Sequence, residues 1–196
     1  GRRIREDGLK IICVPTSLST EKLANEVGIP LAELAELEGL DLVIDGADEF
    51  NSAFNLIKGG GGALLREKIV AQSSASMIVV ADETKKVNCL GDFPLPIEVT
   101  PFSWTETKRQ ISVILSSLGY DADVILRISK EDGEPFITDN GNMILDAHIG
   151  ALITDPVSLE NQLLRLAGVC ECGLFNGICD TVILASDEGV RILKID

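Results

Sequence analysis

The sequence predicts an α/β fold: a parallel sheet unit, followed after a proline-rich break by a second unit of the ferredoxin-like α+β type. The chain has 196 residues, 45% of them hydrophobic, enough for one large or two small domains with buried cores. In the first half, continuous apolar strands alternate with helices, which indicates a parallel sheet covered on both faces. The second half shows the element order β-α-β-β-α-β.

The first half begins with an apolar run at residues 11–14, which predicts a strand. Ser19 is the expected N-cap of the next helix, which ends at Gly28. Further apolar or helix-forming runs predict a strand at 40–45, a helix at 63–71 and a strand at 77–81. Ligands of parallel sheets bind beyond the carboxyl ends of the strands, so we expect a site just after Asp45 and Ala81.

Prolines at residues 93–96 predict a boundary between two units. The second unit is expected to contain a strand at 97–99, a helix ending at Gly119, strands at 124–128, 136–138 and 143–149, a helix opened by Asp155-Pro156, and a strand from Val169. A last hairpin, at 181–185 and 190–195, returns to the first sheet. We therefore predict one domain at residues 1–96 and 175–196, and an inserted domain at 97–174.

Charge and composition exclude several classes of partner. The formal net charge is −14, which leaves no basic face for nucleic acid. No apolar stretch approaches the ~20 residues of a membrane span, so no membrane partner is expected. Five cysteines and no signal-peptide pattern predict a reducing, cytoplasmic location. A small anionic ligand remains possible where a few cations converge.

Residues 40–71 concentrate the chemistry of the chain. Asp45, Asp48 and Glu49 follow a strand end, where like charges are unfavourable unless cations or ligand hydroxyls offset them. A solvated acidic turn is the alternative interpretation of such a cluster.

Lys58 and the four glycines after it resemble a phosphate-binding loop, because glycines leading into a helix expose amides at the positive end of its dipole. In a P-loop, however, the lysine follows the glycines, and a dinucleotide fingerprint would need Gly or Ala at Leu64 or Leu65. The pattern therefore supports nucleotide binding only weakly.

Glu67 lies about one turn inside the following helix and faces either solvent or the cleft; the sequence leaves both open. In the cleft, a carboxylate near a lysine and two aspartates would suit proton transfer next to a carbonyl, which needs a base and groups that stabilise the oxyanion.

At this point separated segments, in register and in order, resemble the ribose-5-phosphate isomerase family of type A. They are DGADE at 45–49, LIKGGGGAL at 56–64, REK at 66–68, ADETKKV at 81–87, PLPIEV at 94–99, TDNGN at 138–142 and GLFNG at 173–177. The likeness runs from about Ser19 to the C-terminus. It implies a Rossmann-like catalytic domain with an inserted ferredoxin-like α+β lid domain.

The resemblance also implies an activity, the interconversion of D-ribose 5-phosphate and D-ribulose 5-phosphate through an enediolate in the pentose phosphate pathway. Glu67 would carry the proton between C2 and C1 as general base. The residues implied to contact the substrate are Asp45, Gly46, Ala47, Asp48, Lys58, Gly59, Gly60, Gly61 and Lys85. No metal and no organic cofactor is implied, and the assembly would be a homodimer or homotetramer.

Family members carry a loop of the type GTGST that helps hold the 5-phosphate, and the printed sequence opens at Gly1 beyond that point. We therefore expect the phosphate affinity and turnover of residues 1–196 to depend on whether that segment is supplied.

Two other functions share related folds. Effector domains of some sugar-responsive repressors bind phosphosugars without turning them over. They would not need the combination of Asp45, Asp48, Lys58 and Glu67. Coenzyme A transferases use a glutamate as nucleophile. DGADE followed by KGGGG favours the isomerase.

The histidine and cysteines carry no recognisable motif. His148 is expected to be structural. Cys170, Cys172 and Cys179 lack paired C-x-x-C spacing, so we expect buried reduced thiols and no metal site.

Overall fold

The computed structural model describes residues 1–195, which form a mixed α/β structure. Its helices are α1 Arg2–Asp7, α2 Leu18–Glu26, α3 Leu64–Gln72, α4 Trp104–Ser117 and α5 Pro156–Leu163. Its strands are β1 Val43–Asp45, β2 Glu49–Phe50, β3 Leu56–Ile57, β4 Met77–Asp82, β5 Leu95–Val99, β6 Asp123–Leu126, β7 Met143–His148, β8 Val169–Cys172, β9 Leu174–Phe175, β10 Thr181–Ser186 and β11 Gly189–Lys194. Within this part of the chain, no helix combines the length and the apolar character that crossing a bilayer requires.

The predicted parallel sheet is confirmed, with strand order β1-β4-β10-β11. β4 pairs in parallel with β1 and β10, and β11 returns antiparallel as the expected last hairpin. One face packs Met77, Val79 and Val182 into a core with Val70 of α3. The expected burial of both faces of this sheet is not seen among residues 1–195. Alternate side chains point to the second face, where Ile44 is 63% exposed.

The start of the chain differs from the expectation at residues 11–14. There is no strand there; Cys13 makes one isolated bridge to Leu31, because Pro15 ends the apolar run and has no N–H for a ladder. Helix α2, which corresponds to the first helix predicted from the sequence, begins at Leu18. Its N-cap is Ser17 rather than Ser19, because the Ser17 hydroxyl accepts a hydrogen bond from the amide of Thr20.

The second unit is an antiparallel sheet of order β6-β7-β5-β8, with α4 and α5 packed on its core. α5 begins as predicted, with Asp155 as N-cap and Pro156 at its first position. The strand expected at 136–138 does not form. Because β7 already pairs with β5 and β6, only an isolated bridge from Ile137 to Met143 remains beside the predicted turn at Gly141.

A small antiparallel sheet has the order β2-β3-β9; in the chain, β2 and β3 come between β1 and β4, and β9 comes between β8 and β10. Leu56 and Ile57 of β3 pair with Phe175 and Leu174 of β9, and all four side chains are fully buried. This sheet places the residue after β3, Lys58, beside the residue before β9, Gly173.

Candidate active site

The candidate site lies where β1 ends, β3 ends and α3 begins. Asp45 is the last residue of β1, Lys58 follows β3, and Glu67 lies in the first turn of α3. Together they border a cleft of about 200 Å³, lined by Asp45, Gly46, Ala47, Asp48, Lys58, Gly59, Gly60, Gly61 and Glu67. The structure thus brings together every residue singled out from the sequence as catalytic or substrate-binding, with the exception of Lys85.

Lys58 is the central cation of this cleft. Its side chain is 4% exposed, and its Nζ lies 2.9 Å from Asp45 Oδ2 and 3.2 Å from Glu67 Oε2. The same ammonium donates to the carbonyl of Gly46 at 2.7 Å. The Lys58 amide donates to the Gly173 carbonyl, so the small sheet fixes the lysine from its backbone.

Glu67 faces the cleft, which resolves the choice that the sequence left open. Burial raises the pKa of the Glu67 carboxyl; the charge of Lys58 opposes this, and the charges of Asp45 and Asp48 add to the rise. Although Lys58 lies close, no donor among residues 1–195 is aligned with Oε2, which is buried without a hydrogen bond. A buried carboxylate with a raised pKa, next to a lysine, suits a group that must both accept and return a proton.

The glycine loop, residues 59–62, follows a path that side chains would block. A Cβ on Gly60 would lie 2.6 Å from Asp48 Oδ1 and 3.0 Å from the Phe93 ring. Gly62 has φ +85, and a Cβ there would overlap the ring of Phe136. Gly60 also donates its amide to Asp48 Oδ2 at 2.8 Å, so close approach of the loop to Asp48 requires glycine.

Lys85 lies in a short 3-10 helix, Glu83–Lys85, directly after β4. It is half-buried and does not line the cleft. Of the two strand ends where a site was expected, the end of β1 therefore lines the cleft, whereas the end of β4 is its neighbour in the sheet.

Arg127 is a site residue that the sequence reasoning missed. It comes from the second unit, just after β6, and its Nη1 donates to the carbonyls of Gly59 and Gly60 at 2.8 and 3.1 Å. Asp146 of β7 holds the guanidinium through two oxygens. A signal was present in the sequence: Arg127 directly follows the apolar residues 124–126, and Asp146 interrupts the apolar residues of β7. A larger groove of about 820 Å³, lined in part by Arg127 and Phe136, meets the cleft at Gly60.

Arg66, beside Glu67 in the sequence, contacts the TDNGN turn of the second unit. Its Nη2 donates to the Asp139 carbonyl and its Nε to Asn140 Oδ1. The turn is shaped by the buried Glu98, whose Oε1 accepts from Thr138, Asn140 and Asn142. The segment that carries Glu67 is thereby joined to the second unit.

Lys68, on the other side of Glu67, makes a second connection. Its Nζ lies 2.7 Å from both Glu160 Oε1 and Glu171 Oε1 and donates to the Cys172 carbonyl at 3.0 Å. Burial lowers the pKa of Lys68, but the nearby Cys172, Glu171 and Glu160 raise it by more, so the pKa lies above its ordinary value.

Glu160, Glu171 and the Cys172 thiol form a cluster whose donor atoms are close enough to hold a metal ion. The Lys68 ammonium already lies between the two carboxylates, and burial raises the pKa of the Cys172 thiol to about 12. These features favour a structural ion-pair network at this position.

The comparisons with known proteins agree with this geometry. Residues 12–189 match the family model for ribose 5-phosphate isomerase A (phosphoriboisomerase A). A ribose-5-phosphate isomerase A of Bradyrhizobium diazoefficiens is 49% identical over 190 residues, which cover 95% of this chain and 78% of the relative.

Two solved structures extend the match to three dimensions. A ribose 5-phosphate isomerase from Plasmodium falciparum has a TM-score of 0.93 at 35% identity, covering 100% of this chain and 83% of that one. A D-ribose-5-phosphate isomerase in complex with phospho-erythronic acid has a TM-score of 0.91 at 39% identity, covering 99% and 82%. Sequence and structure lead to the same conclusion: this chain belongs to the ribose 5-phosphate isomerase A family.

Proposed function

We propose that the chain is an aldose-ketose isomerase that interconverts D-ribose 5-phosphate and D-ribulose 5-phosphate through an enediolate, in the non-oxidative branch of the pentose phosphate pathway. The observation that carries this proposal is the contact between Lys58 and Glu67 in a cleft lined by glycine amides. The relative in complex with phospho-erythronic acid supports a phosphorylated sugar acid or sugar as the ligand class.

The reaction needs one base that moves a proton between neighbouring carbons. Glu67 takes the C2 proton of open-chain ribose 5-phosphate, the electron pair of that bond forms the C1–C2 double bond, and the C1 carbonyl oxygen takes the negative charge. The C2 hydroxyl proton then passes to the C1 oxygen as the C2 carbonyl forms, and Glu67 returns its proton to C1. A raised pKa makes the Glu67 carboxylate a stronger base for taking the C2 proton.

The oxyanion of the enediolate must be stabilised while the proton is on Glu67. We assign this role to the Lys58 ammonium and the amides of the glycine loop, because a cation and fixed dipoles in a partly closed cleft act strongly on a developing charge. Asp45 and Asp48 are assigned to the sugar hydroxyls together with the backbone of Gly46 and Ala47. Lys85, at the neighbouring strand end, is assigned to a further contact with the substrate.

The second unit, residues 97–174, is proposed to act as an inserted ferredoxin-like lid. Its antiparallel strand order, β6-β7-β5-β8, with α4 and α5 packed on the sheet, supports this proposal. Arg127, the TDNGN turn, and the ion pairs of Glu160 and Glu171 with Lys68 connect it to the catalytic unit, residues 1–96 and 175–196. We further propose a cytoplasmic homodimer or homotetramer.

The test is a ribose 5-phosphate to ribulose 5-phosphate assay on residues 1–196, beside a chimera that adds the N-terminal segment of the Bradyrhizobium relative. With deuterium at C2, the proposed carboxylate shuttle exchanges part of the label with water and carries part to C1. Complete retention of the label would contradict a proton shuttle. Binding of phospho-erythronic acid by both forms without any turnover would instead support the phosphosugar-binding alternative.

A further inference from the structure

The peptide groups of the glycine loop are held from two sides. The carbonyl of Gly59 accepts from Arg127 Nη1 at 2.8 Å, and the amide of Gly60 donates to Asp48 Oδ2 at 2.8 Å. This carbonyl and this amide belong to the same planar peptide group, so both of its ends are fixed. Asp48 lines the cleft, and Arg127 lies on the opposite side of the peptide.

The next peptide group is held at its carbonyl end only. The Gly60 carbonyl accepts from the same Arg127 nitrogen at 3.1 Å. In a trans peptide the N–H points opposite to the C=O, so the Gly61 amide points away from Arg127, toward the side on which Asp48 lies. Gly61 is exposed, lines the cleft, and its amide has no acceptor among residues 1–195.

Arg127 is itself held rigidly. Its Nε donates to Asp146 Oδ2 at 2.8 Å, its Nη2 bonds to Asp146 Oδ1, and its guanidinium lies 5.9 Å from the ring centroid of Phe136. The two side chains are only 14% and 18% exposed. Because a guanidinium is planar, fixing Nε and Nη2 also fixes the direction of Nη1.

We propose that Arg127 is a positioning residue for the isomerisation: held by Asp146, it fixes the carbonyls of Gly59 and Gly60 and thereby aims the Gly61 amide at the oxyanion of the bound substrate. This inference rests on the proposed function. Arg127 touches no reacting atom; it acts through the loop. A donor that is aimed before the charge develops requires no reorganisation in the reaction, and misplacing such a group by about 1 Å can cost on the order of 10²-fold in rate.

The experiment compares Arg127→Ala and Arg127→Lys with Arg109→Ala as matched control. Arg109 lies on α4 and also pairs with a carboxylate, Glu106, but it is exposed and makes no hydrogen bond to the glycine loop. The measurements are kcat, KM, the Kd of phospho-erythronic acid and thermal unfolding, on whichever form of the chain turns over ribose 5-phosphate.

For Arg127→Ala we expect kcat to fall on the order of 10²-fold while KM changes less than about threefold. The carboxylate of phospho-erythronic acid is a planar anion, so its affinity should fall in parallel with kcat. Added guanidinium ion should restore part of kcat in Arg127→Ala but none in Arg127→Lys, where the lysine fills the space and cannot bond Asp146 and both carbonyls together. Arg109→Ala should match the wild type.

The outcomes separate the two proposals. An inactive wild type in both forms would overturn the proposed function and this inference with it. An active wild type with kcat of Arg127→Ala within threefold, or a kcat loss that guanidinium does not restore, would overturn the inference alone. If Arg127→Ala does not fold, Asp146→Asn decides instead: it keeps the shape but releases the guanidinium, and an unchanged kcat there would refute the positioning role.

Discussion

Lys58 and Lys68 share one aromatic ring: their ammonium groups lie 5.5 and 5.0 Å from the ring centroid of Phe175. The negative face of an aromatic ring attracts cations, and more so when they are buried, as both lysines are. Their other neighbours differ, because Lys58 borders the cleft while Lys68 joins α3 to the second unit. We therefore expect the two lysines to differ in what their removal changes.

Lys58→Met should impair both binding and turnover, because the ammonium contacts oxygens in the ground state and in the enediolate. Loss of one such group costs on the order of 10² to 10³-fold in kcat. Steady-state kinetics measure the two effects through KM and kcat, with the exposed Lys86→Met as control. An unchanged KM would argue against contact in the ground state.

Lys68→Met should mainly reduce stability. It leaves the carboxylates of Glu160 and Glu171, 18% and 14% exposed, without their cation, and breaking such a buried pair costs about 3–5 kcal/mol in free energy of unfolding. Denaturant unfolding measures the loss, and Lys22→Met on the exposed side of α2 is the control. Adding Glu171→Gln to the Lys68→Met variant should recover part of the lost free energy of unfolding. A loss no larger than that of the control would refute the network's role.

Glu67→Gln should lower kcat on the order of 10² to 10⁴-fold with little change in KM, since the amide keeps the shape but cannot accept the proton. The wild-type kcat/KM should fall in acid with a pKa above the ordinary 4.5 of glutamate, because burial raises the pKa of this carboxyl. pH–rate profiles measure this limb. A drop smaller than about tenfold would remove Glu67 from the role of base.

The same substitution should stabilise the fold at neutral pH. The pKa of Glu67 is higher in the folded than in the unfolded chain, so the folded state binds more protons in between, and the free energy of unfolding falls as pH rises from 4.5 through the raised pKa. The Tm of Glu67→Gln should therefore exceed that of the wild type at pH 7, and the difference should vanish below pH 4.5. The exposed Glu21→Gln should show no such difference, and a lower Tm for Glu67→Gln at pH 7 would contradict the assignment.

Chelators should leave isomerase activity unchanged. The space between the carboxylates of Asp45 and Glu67 is taken by the Lys58 ammonium, at 2.9 and 3.2 Å, which supplies the positive charge that a metal would provide. The measurement is turnover after prolonged EDTA treatment. Loss of activity that a divalent ion restores would favour metal-assisted enolisation.

Four residues of the cleft, Asp45, Asp48, Lys58 and Glu67, could be found from the sequence. They lie within one stretch, residues 40–71, where a strand end and a helix start are both recognisable. The direction of the Glu67 side chain could not be predicted. It depends on how α3 is rotated about its axis, and the glycine loop before α3 packs against Phe136 of the distant second unit. The family resemblance points to the same residues of this cleft. The roles of Asp45, Asp48, Lys58 and Lys85 toward substrate stay predictions.

Contacts between segments that lie far apart in the chain could not be predicted from the sequence. Arg127 meets Gly59 across 68 positions, and Lys68 meets Glu171 across 103. Periodicity places each residue on its own strand or helix but contains no information about how the two units are seated on each other. The strand expected at 136–138 failed for a similar reason, because its place beside β7 is taken by β5, a strand far away in the sequence.

The pairing of β5 with β8 also bears on the order in which the chain folds. β4 and β10 pair across the whole second unit, because the paired residues Ile78 and Thr181 stand on either side of residues 97–174 in the chain. Once Ile97 is paired with Cys172, the segment that has to be closed is several times shorter. Each halving of a loop saves about 0.6 kcal/mol of closure entropy, so the first sheet gains about 1 kcal/mol if the second unit folds first. We expect refolding intermediates, where they occur, to protect the amides of β5, β7 and β8 from exchange before those of β10.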